Sequence, residues 1–289
     1  MKILVLGVSG MLGNAVFRFL SELNTYQVYG TARNNNIKEY IHSDYCENVI
    51  TGLDVLDHDS LLDVIGKIKP DVIVNCIGLV KQLVEANNPL VVLPINSLLP
   101  HRLSKICDLI DARLIHFSTD CVFSGKNGLY TESDISDARD LYGKSKYIGE
   151  VNNNSNTITL RTSIIGHELS SNHSLINWFL SQTNSIKGFD KFIFSGLPTV
   201  ELASIISNYI LPNDNLFGLY HVSSNPISKY DLLVLVAEIY GKNIEIIRDK
   251  EIILNRSLDS ERFQKETGYI PPKWDDLIRF MHSYHQSRK

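Results

Sequence analysis

Two spacings of apolar positions alternate along the chain. "KILVLG" at residues 2–7 is a continuous apolar run of strand length, and the following "MLGNAVFRFLSEL" places Leu12, Val16, Phe19, Leu20 and Leu23 at helical spacing. The pattern then repeats. "YQVYGTA" and "VITGLDV" read as the second and third strands, "SLLDVIGKI" as a helix, "DVIVNCIG" as a fourth strand, "LLPHRLSKICDLI" as a helix and "ARLIHFST" as a fifth strand. A helix over 141–152 and a sixth strand in "TITLRTS" complete the series.

Strands that alternate with helices at this interval predict a parallel sheet covered on both faces, a doubly wound α/β fold of Rossmann type. Beyond residue 163 the alternation loosens into polar connections, helical stretches and the short strand candidate "GLYHVSS". The reading is therefore a dinucleotide-binding domain over 1–163, to which the chain returns at about 196–222. A smaller lobe takes 164–195 and 223–289. "NNNSN" at 152–156 is a polar loop.

Composition narrows the class of function. A formal charge of -4 leaves no basic excess to neutralise phosphates along a strand, so nucleic acid is not an expected partner. Cys46, Cys76, Cys107 and Cys121 form no C-x-x-C pair, which suggests neither a zinc site nor a disulfide framework. "MKILVLGVSG" has one basic residue and an apolar run of four before glycine interrupts it. That is too short for a signal-peptide core or a membrane span, and the expectation is a cytoplasmic protein without membrane contact.

The first motif with chemical content is "GVSGMLG". Gly7, Gly10 and Gly13 form G-x-x-G-x-x-G at the first strand-to-helix turn, where a dinucleotide pyrophosphate can rest on the helix N-terminus. Tight strand-to-helix packing is the structural alternative. The second strand ends in "TAR", with Arg33 where an NAD-binding chain would carry a carboxylate. An arginine there pairs with a 2′-phosphate that a carboxylate would repel, favouring NADPH over NADH; a solvated surface arginine is the competing reading. Asp54 in "GLDVLD" can accept from an adenine amino group or serve as a cap. Asn75, Cys76, Ile77 and Gly78 end the fourth strand at the edge where open α/β sheets bind ligands.

"FSTDCVF" brings Ser118, Thr119 and Asp120 to the same edge. On the following helix Tyr142 and Lys146 stand one turn apart and act on one volume. A tyrosine titrates near ~10. An adjacent ammonium is expected to lower that value and make Tyr142 a usable general acid and base. Thr119, 23 residues upstream, can hydrogen-bond a substrate oxygen as charge develops on it.

These residues together resemble the extended short-chain dehydrogenase/reductases: the glycine turn, "STD" with a downstream "YGKSK" and "GE", and "LRTSIIG". "GLPTVELAS", "GLYHVSS" and "LDSERFQKETGYIPPKW" are similar to the dTDP-4-dehydrorhamnose reductase family, and the resemblance spans nearly the whole chain. It implies Thr119, Tyr142 and Lys146 as the catalytic set. It implies NADP(H) held by Gly7, Ser9, Gly10, Met11, Leu12 and Gly13, by Arg33, Asp54 and Val55, by Cys76, Ile77, Gly78 and Asn96, and by Tyr142 with Lys146. Substrate residues would be Lys81, Asp120, Phe123, Trp178 and Pro198.

The chain departs from the family in Cys121, where tyrosine is usual, and in "NCIGLVKQ"; both departures bear on the sugar. The implied reaction is reduction of a 4-ketone on a nucleotide-activated 6-deoxyhexose, without a metal. The substrate is dTDP-4-dehydrorhamnose or an N-acetylated UDP-linked analogue, and the product feeds surface polysaccharide. Two alternatives remain open. One is a regulatory subunit of the same fold, since the family includes a binding partner of a methionine-using synthetase. The other is an epimerase or dehydratase that retains NAD. Related folds dimerise through helices on one sheet face, so a homodimer is possible. His101, His116 and His167 share no metal-ligand spacing, Trp178 and Trp274 read as core anchors, and "HSYHQSRK" reads as a solvated, fraying end.

Overall fold

In the computed structural model, which describes residues 1–81 and 87–287, the N-terminal apolar run forms strand β1 (Lys2–Leu6). Its side chains alternate between two cores. Ile3 and Val5 pack with Val16, Phe17 and Leu20 of helix α1 (Met11–Glu22). Leu4 and Leu6 pack on the opposite face with Leu61 and Ile65 of α2 (His58–Ile68). A strand buried on both faces has no polar side to show, hence the unbroken apolar run.

Strands β2 (Gln27–Ala32), β3 (Val49–Thr51), β4 (Val72–Asn75), β5 (Arg113–Thr119) and β6 (Thr157–Thr162) join β1 in a seven-stranded sheet with a last strand, Gly218–His221. The order is last strand, β6, β5, β4, β1, β2, β3, and every neighbouring pair is parallel. The chain leaves β1 toward β2 and returns on its other side to β4. That reversal opens a crevice beyond the carboxyl ends of β1 and β4, the place where doubly wound sheets bind ligands. The Rossmann-type fold is as expected.

Boundaries differ at three places. The third strand stops at Thr51, short of the expected Val55, because Gly52 turns the backbone to φ +83 and Leu53 and Val55 drop into the core. The fourth helix begins earlier than its apolar pattern: α3 (Pro89–Val92) passes through a π-helical stretch, Leu93–Leu98, into α4 (Leu99–Ile110). Helix α5 covers Leu141–Ile148 and ends before the expected residue 152, with Gly149 as its C-cap.

Helices α6 (Leu175–Ser181), α7 (Thr199–Ile205), α8 (Lys229–Tyr240), α9 (Glu261–Thr267) and α10 (Trp274–Gln286) follow. Ile176 and Phe179 of α6, Leu232, Leu233 and Val236 of α8, and Ile278 and Met281 of α10 build a separate apolar cluster. Short strands lie beside it, among them Phe192–Phe194 between Ile227–Ser228 and Leu254–Asn255. Helix α10 continues through His282, and His285 stacks on His167 at 3.6 Å, so this segment is folded where a frayed end was expected. Arg288 and Lys289 of that expectation lie outside the described residues. Among the described residues no helix is long and apolar enough to cross a membrane, and no group of three or more His, Cys, Asp or Glu could hold a metal ion.

Candidate active site

At the first turn Gly7 adopts φ +86, and a Cβ on Gly13 would stand 2.2 Å from the Gly7 carbonyl oxygen. Helix and turn touch through backbone, a contact only glycine permits. Gly10 caps α1 without a side-chain hydrogen bond, and the first turn holds no acidic residue. The N–H groups of that turn remain available to an anion, aided by the helix dipole. Gly10, Met11 and Leu12 line a cleft of about 740 Å³, whereas Ser9 is exposed beside it.

Arg33 follows β2 and is exposed. The β2 end is tied to the Asp54 segment, as Gly52 N–H donates to the Arg33 carbonyl and Leu53 N–H to that of Ala32. Asp54 Oδ1 accepts from Leu56 N–H at 3.0 Å in a local turn and its carboxylate is exposed, while the cap of α2 is Asp57, which accepts from Ser60 N–H. Val55 is a core residue packed with Leu61 and Ile65. None of the three lines the cleft.

Cys76, Ile77 and Gly78 do line it. Burial holds the Cys76 thiol far above its ordinary range, so the sulfur is neutral. A Cβ on Gly78 would lie 3.8 Å from Lys146 Nζ, which puts this glycine directly over the lysine head. Asn96, expected to touch the cofactor, is fully buried and outside the cleft lining. Its Oδ1 accepts Leu79 N–H at 2.9 Å, and its Nδ2 donates to the Leu79 carbonyl at 3.1 Å and to Ser145 Oγ at 3.2 Å. It clamps the loop after β4 onto α5. Gln82 of the departing "NCIGLVKQ" stretch lies outside the described residues.

Thr119, Tyr142 and Lys146 meet in the same cleft. Asp140 caps α5 by accepting Gly143 N–H at 2.8 Å, which starts the helix one turn before Lys146. Lys146 is 5% exposed, and its Nζ donates to the Phe117 carbonyl at 2.6 Å. Burial pulls its pKa to about 8, against the opposing pull of Glu150. Tyr142 departs from expectation: burial raises its phenol well above the usual range, and the neighbouring Thr119 hydroxyl offsets this only in part. Desolvation of a phenolate dominates, and the neighbouring Asp120 and Asp140 carboxylates push the same way. Thr119 Oγ1 donates to Asp120 Oδ1 at 3.2 Å and accepts Cys121 N–H at 3.1 Å.

Of the expected substrate residues, Lys81 and Asp120 line the cleft. Lys81 Nζ is bound to Asp140 Oδ2 at 2.8 Å. Phe123, Trp178 and Pro198 do not line it. Phe123 has no exposure and stacks on Tyr130 at 4.1 Å, Trp178 points outward at 37% exposure, and Pro198 is buried where it precedes α7. Trp274 anchors the core as expected, packed against the lobe cluster and against the core that β1 shares with α1.

The pattern overlooked Lys229, Arg256, Phe192 and Phe194, all in the cleft wall. One signal was readable. Lys229 is the first residue of α8, where a cation opposes the helix dipole, so another requirement must keep it there. The "GE" and "LRT" segments are explained by Arg161, which donates from Nε and Nη2 to the two oxygens of Glu150; Ser118 Oγ adds a third donor at 2.7 Å.

Residues 1–283 match the family described as RmlD substrate binding domain. Methionine adenosyltransferase 2 subunit beta of Mus musculus is 26% identical over 314 aligned positions, which take in 96% of this chain and 88% of the relative. The dTDP-4-dehydrorhamnose reductase of Aggregatibacter actinomycetemcomitans is 25% identical over 307 positions, 98% of this chain and 99% of its own. Among solved structures, dTDP-4-dehydrorhamnose reductase from Bacillus anthracis in complex with NADP aligns with a TM-score of 0.78 at 19% identity, covering 98% of this chain and 99% of that one. At that identity the likeness speaks for the fold alone. With the family matched along almost its whole length, the chain belongs to the RmlD substrate binding domain family, within the extended short-chain dehydrogenase/reductases.

Proposed function

We propose that the protein is an NADPH-dependent reductase acting in the cytoplasm on the 4-keto group of a nucleotide-activated 6-deoxyhexose, in surface polysaccharide biosynthesis. The substrate would be dTDP-4-dehydrorhamnose or a UDP-linked 2-acetamido-2,6-dideoxy-4-hexulose. The observation that carries this reading is the convergence of Thr119, Tyr142 and Lys146 on one cleft that begins at the glycine turn. The sugar would sit between residues 1–163 and the lobe of 164–195 and 223–289.

The residues fit a dinucleotide. An uncapped, acid-free helix start behind a turn that tolerates no Cβ on Gly13 suits a pyrophosphate. Gly10, Met11 and Leu12 would hold it, Arg33 would meet a 2′-phosphate, and Lys146 beside Gly78 would meet ribose hydroxyls. When bound, NADPH supplies the hydride.

The chain's own residues supply the rest. The Thr119 hydroxyl holds the ketone oxygen, and Tyr142, kept protonated by its surroundings, donates the proton that oxygen needs. Lys146 places a positive charge behind the phenol and eases loss of that proton. Asn96 keeps the loop over Lys146 in place.

A second reading, a dinucleotide-binding regulatory subunit, is favoured by the 26% identity to the methionine adenosyltransferase subunit over 96% of this chain. NADPH oxidation against a panel of dTDP-, UDP- and GDP-linked 4-keto-6-deoxyhexoses separates the two. Turnover with one member supports the reductase and identifies its nucleotide; NADPH binding without turnover on any member favours the subunit.

A further inference from the structure

Between the buried Ile165 and the start of α6 the chain makes an excursion over residues 166–174 without helix or strand. Its ends are tied together by Ser174 Oγ, which donates to the Gly166 carbonyl at 3.2 Å, so the segment is a closed surface loop. Ser170, Asn172 and His173 toward its far side are exposed.

One carboxylate closes the neck. Glu168 Oε2 accepts the N–H groups of His173 and Ser174, each at 2.8 Å. Asn177 clasps the same neck from α6: its Oδ1 accepts Glu168 N–H at 3.2 Å, and its Nδ2 donates to the Ser171 carbonyl at 3.0 Å. Among the described residues, each hydrogen bond made by residues 168–173 ends on a residue between 168 and 177. Leu169 adds an apolar foot on the core that β1 shares with α1. The loop is fastened to itself more than to its surroundings, the arrangement of a unit that opens locally.

Its root, by contrast, is pinned. A Cβ on Gly166 would stand 2.6 Å from Thr199 Oγ1 and 3.3 Å from Met11 Cγ, so the loop departs from contact with the first residue of α1. Met11 belongs to the turn that would seat a pyrophosphate. Glu168, His173 and Ser174 line the same cleft as Gly10, Met11 and Leu12. A ligand resting on that turn therefore has this loop as an adjoining wall. Attraction does not explain a carboxylate there, because it adds negative charge where an anion would bind. The two N–H groups do explain it, since a charged oxygen holds them more strongly than a neutral one.

We propose that residues 166–174 form a strap beside the dinucleotide and that Glu168 is its latch, so that opening of the latch sets how fast NADPH enters and leaves. The proposal rests on the dinucleotide-binding part of the reading above. The latch bonds lie inside the strap and do not depend on a ligand. Loosening them lowers one barrier to passage in both directions, so the two rates rise together and affinity stays nearly unchanged.

The test is stopped-flow fluorescence of NADPH binding and release, with hydrogen exchange at the His173 and Ser174 amides of the free protein followed by NMR. Wild type, Glu168→Ala, Glu168→Gln and Asn177→Ala are compared. Because one oxygen of Glu168 accepts both N–H groups, a glutamine carbonyl can replace it without charge. Glu168→Ala should release NADPH about tenfold faster or more and bind it faster by a similar factor, with both amides losing protection. Asn177→Ala should act in the same direction to a smaller degree and carries the test should Glu168→Ala not fold; Glu168→Gln should stay near wild type. If Glu168→Gln speeds binding as much as Glu168→Ala, charge rather than the latch governs the rates and the proposal is overturned. Release that quickens without a matching gain in binding makes the loop a contact for the cofactor, which overturns it as well. If wild type does not bind NADPH, the dinucleotide reading fails and the strap with it. If wild type binds NADPH and every variant exchanges it at the wild-type rates, the strap is overturned while that reading stands.

Discussion

Arg161 holds Glu150 by both carboxylate oxygens, Nε to Oε1 and Nη2 to Oε2 at 2.7 Å each, with side-chain exposures of 2% and 0%. The pair ties β6 to the end of the helix that carries Tyr142 and Lys146. Glu150→Ala would leave a buried guanidinium without its partner, a change that costs about 3–5 kcal/mol. Urea denaturation should show that loss, and Glu150→Gln, which keeps acceptor and shape, should lose clearly less.

The same carboxylate acts on Lys146, whose pKa burial brings to about 8 and Glu150 opposes. A lysine with a lowered pKa is charged below that value and neutral above it. With Lys146 required as an ammonium, kcat/KM should be level below about pH 8 and fall above it. Glu150→Gln removes the influence that raises this pKa, so the falling limb should move to lower pH. A limb that stays put in the variant would sever Glu150 from the lysine.

Tyr142→Phe deletes the proton donor and leaves the ring that fills the wall. Turnover should drop by roughly 10²–10⁴, with NADPH affinity, followed by fluorescence titration, nearly unchanged. Thr119→Ala should lose about 10²–10³ in kcat, the range for one donor to a developing oxyanion. Near-wild-type rates in either variant would dismiss that residue from the chemistry.

Arg33→Asp replaces an exposed cation at the end of β2 with a charge that repels a 2′-phosphate. NADPH affinity should fall about ten- to hundredfold, while NADH affinity changes little. An equal loss for the two would mean that Arg33 does not read the 2′-phosphate.

Much of this was legible in the sequence wherever a local rule sufficed. The alternation of β1 between two cores, the backbone contact of Gly13 with Gly7 and the one-turn spacing of Tyr142 and Lys146 all follow from geometry within a few residues. Phe123 illustrates the other case. It is three residues past Asp120, yet it packs on Tyr130 and Leu258, a partner 135 positions away in the chain and invisible to any local period. Trp178 was mistaken for an anchor because an aromatic on a helix is apolar whichever way it faces. The direction of the Tyr142 shift was missed for a related reason: adjacency to a lysine can be read from spacing, but the solvent lost around the phenol depends on the whole cleft.

The π-helical stretch Leu93–Leu98 is an α-helix with one residue to spare, its closing N–H of Leu99 reaching five residues back to the Pro94 carbonyl. Deleting one residue there would let the helix close up as a regular one. The segment before it would swing by about 100° around the axis, the share of a turn one residue occupies. Asn96 would then face away from Leu79 and Ser145, and the loop over Lys146 would come loose from α5. One surplus residue in a helix thereby acts as the shim that aims Asn96 at the loop roofing Lys146.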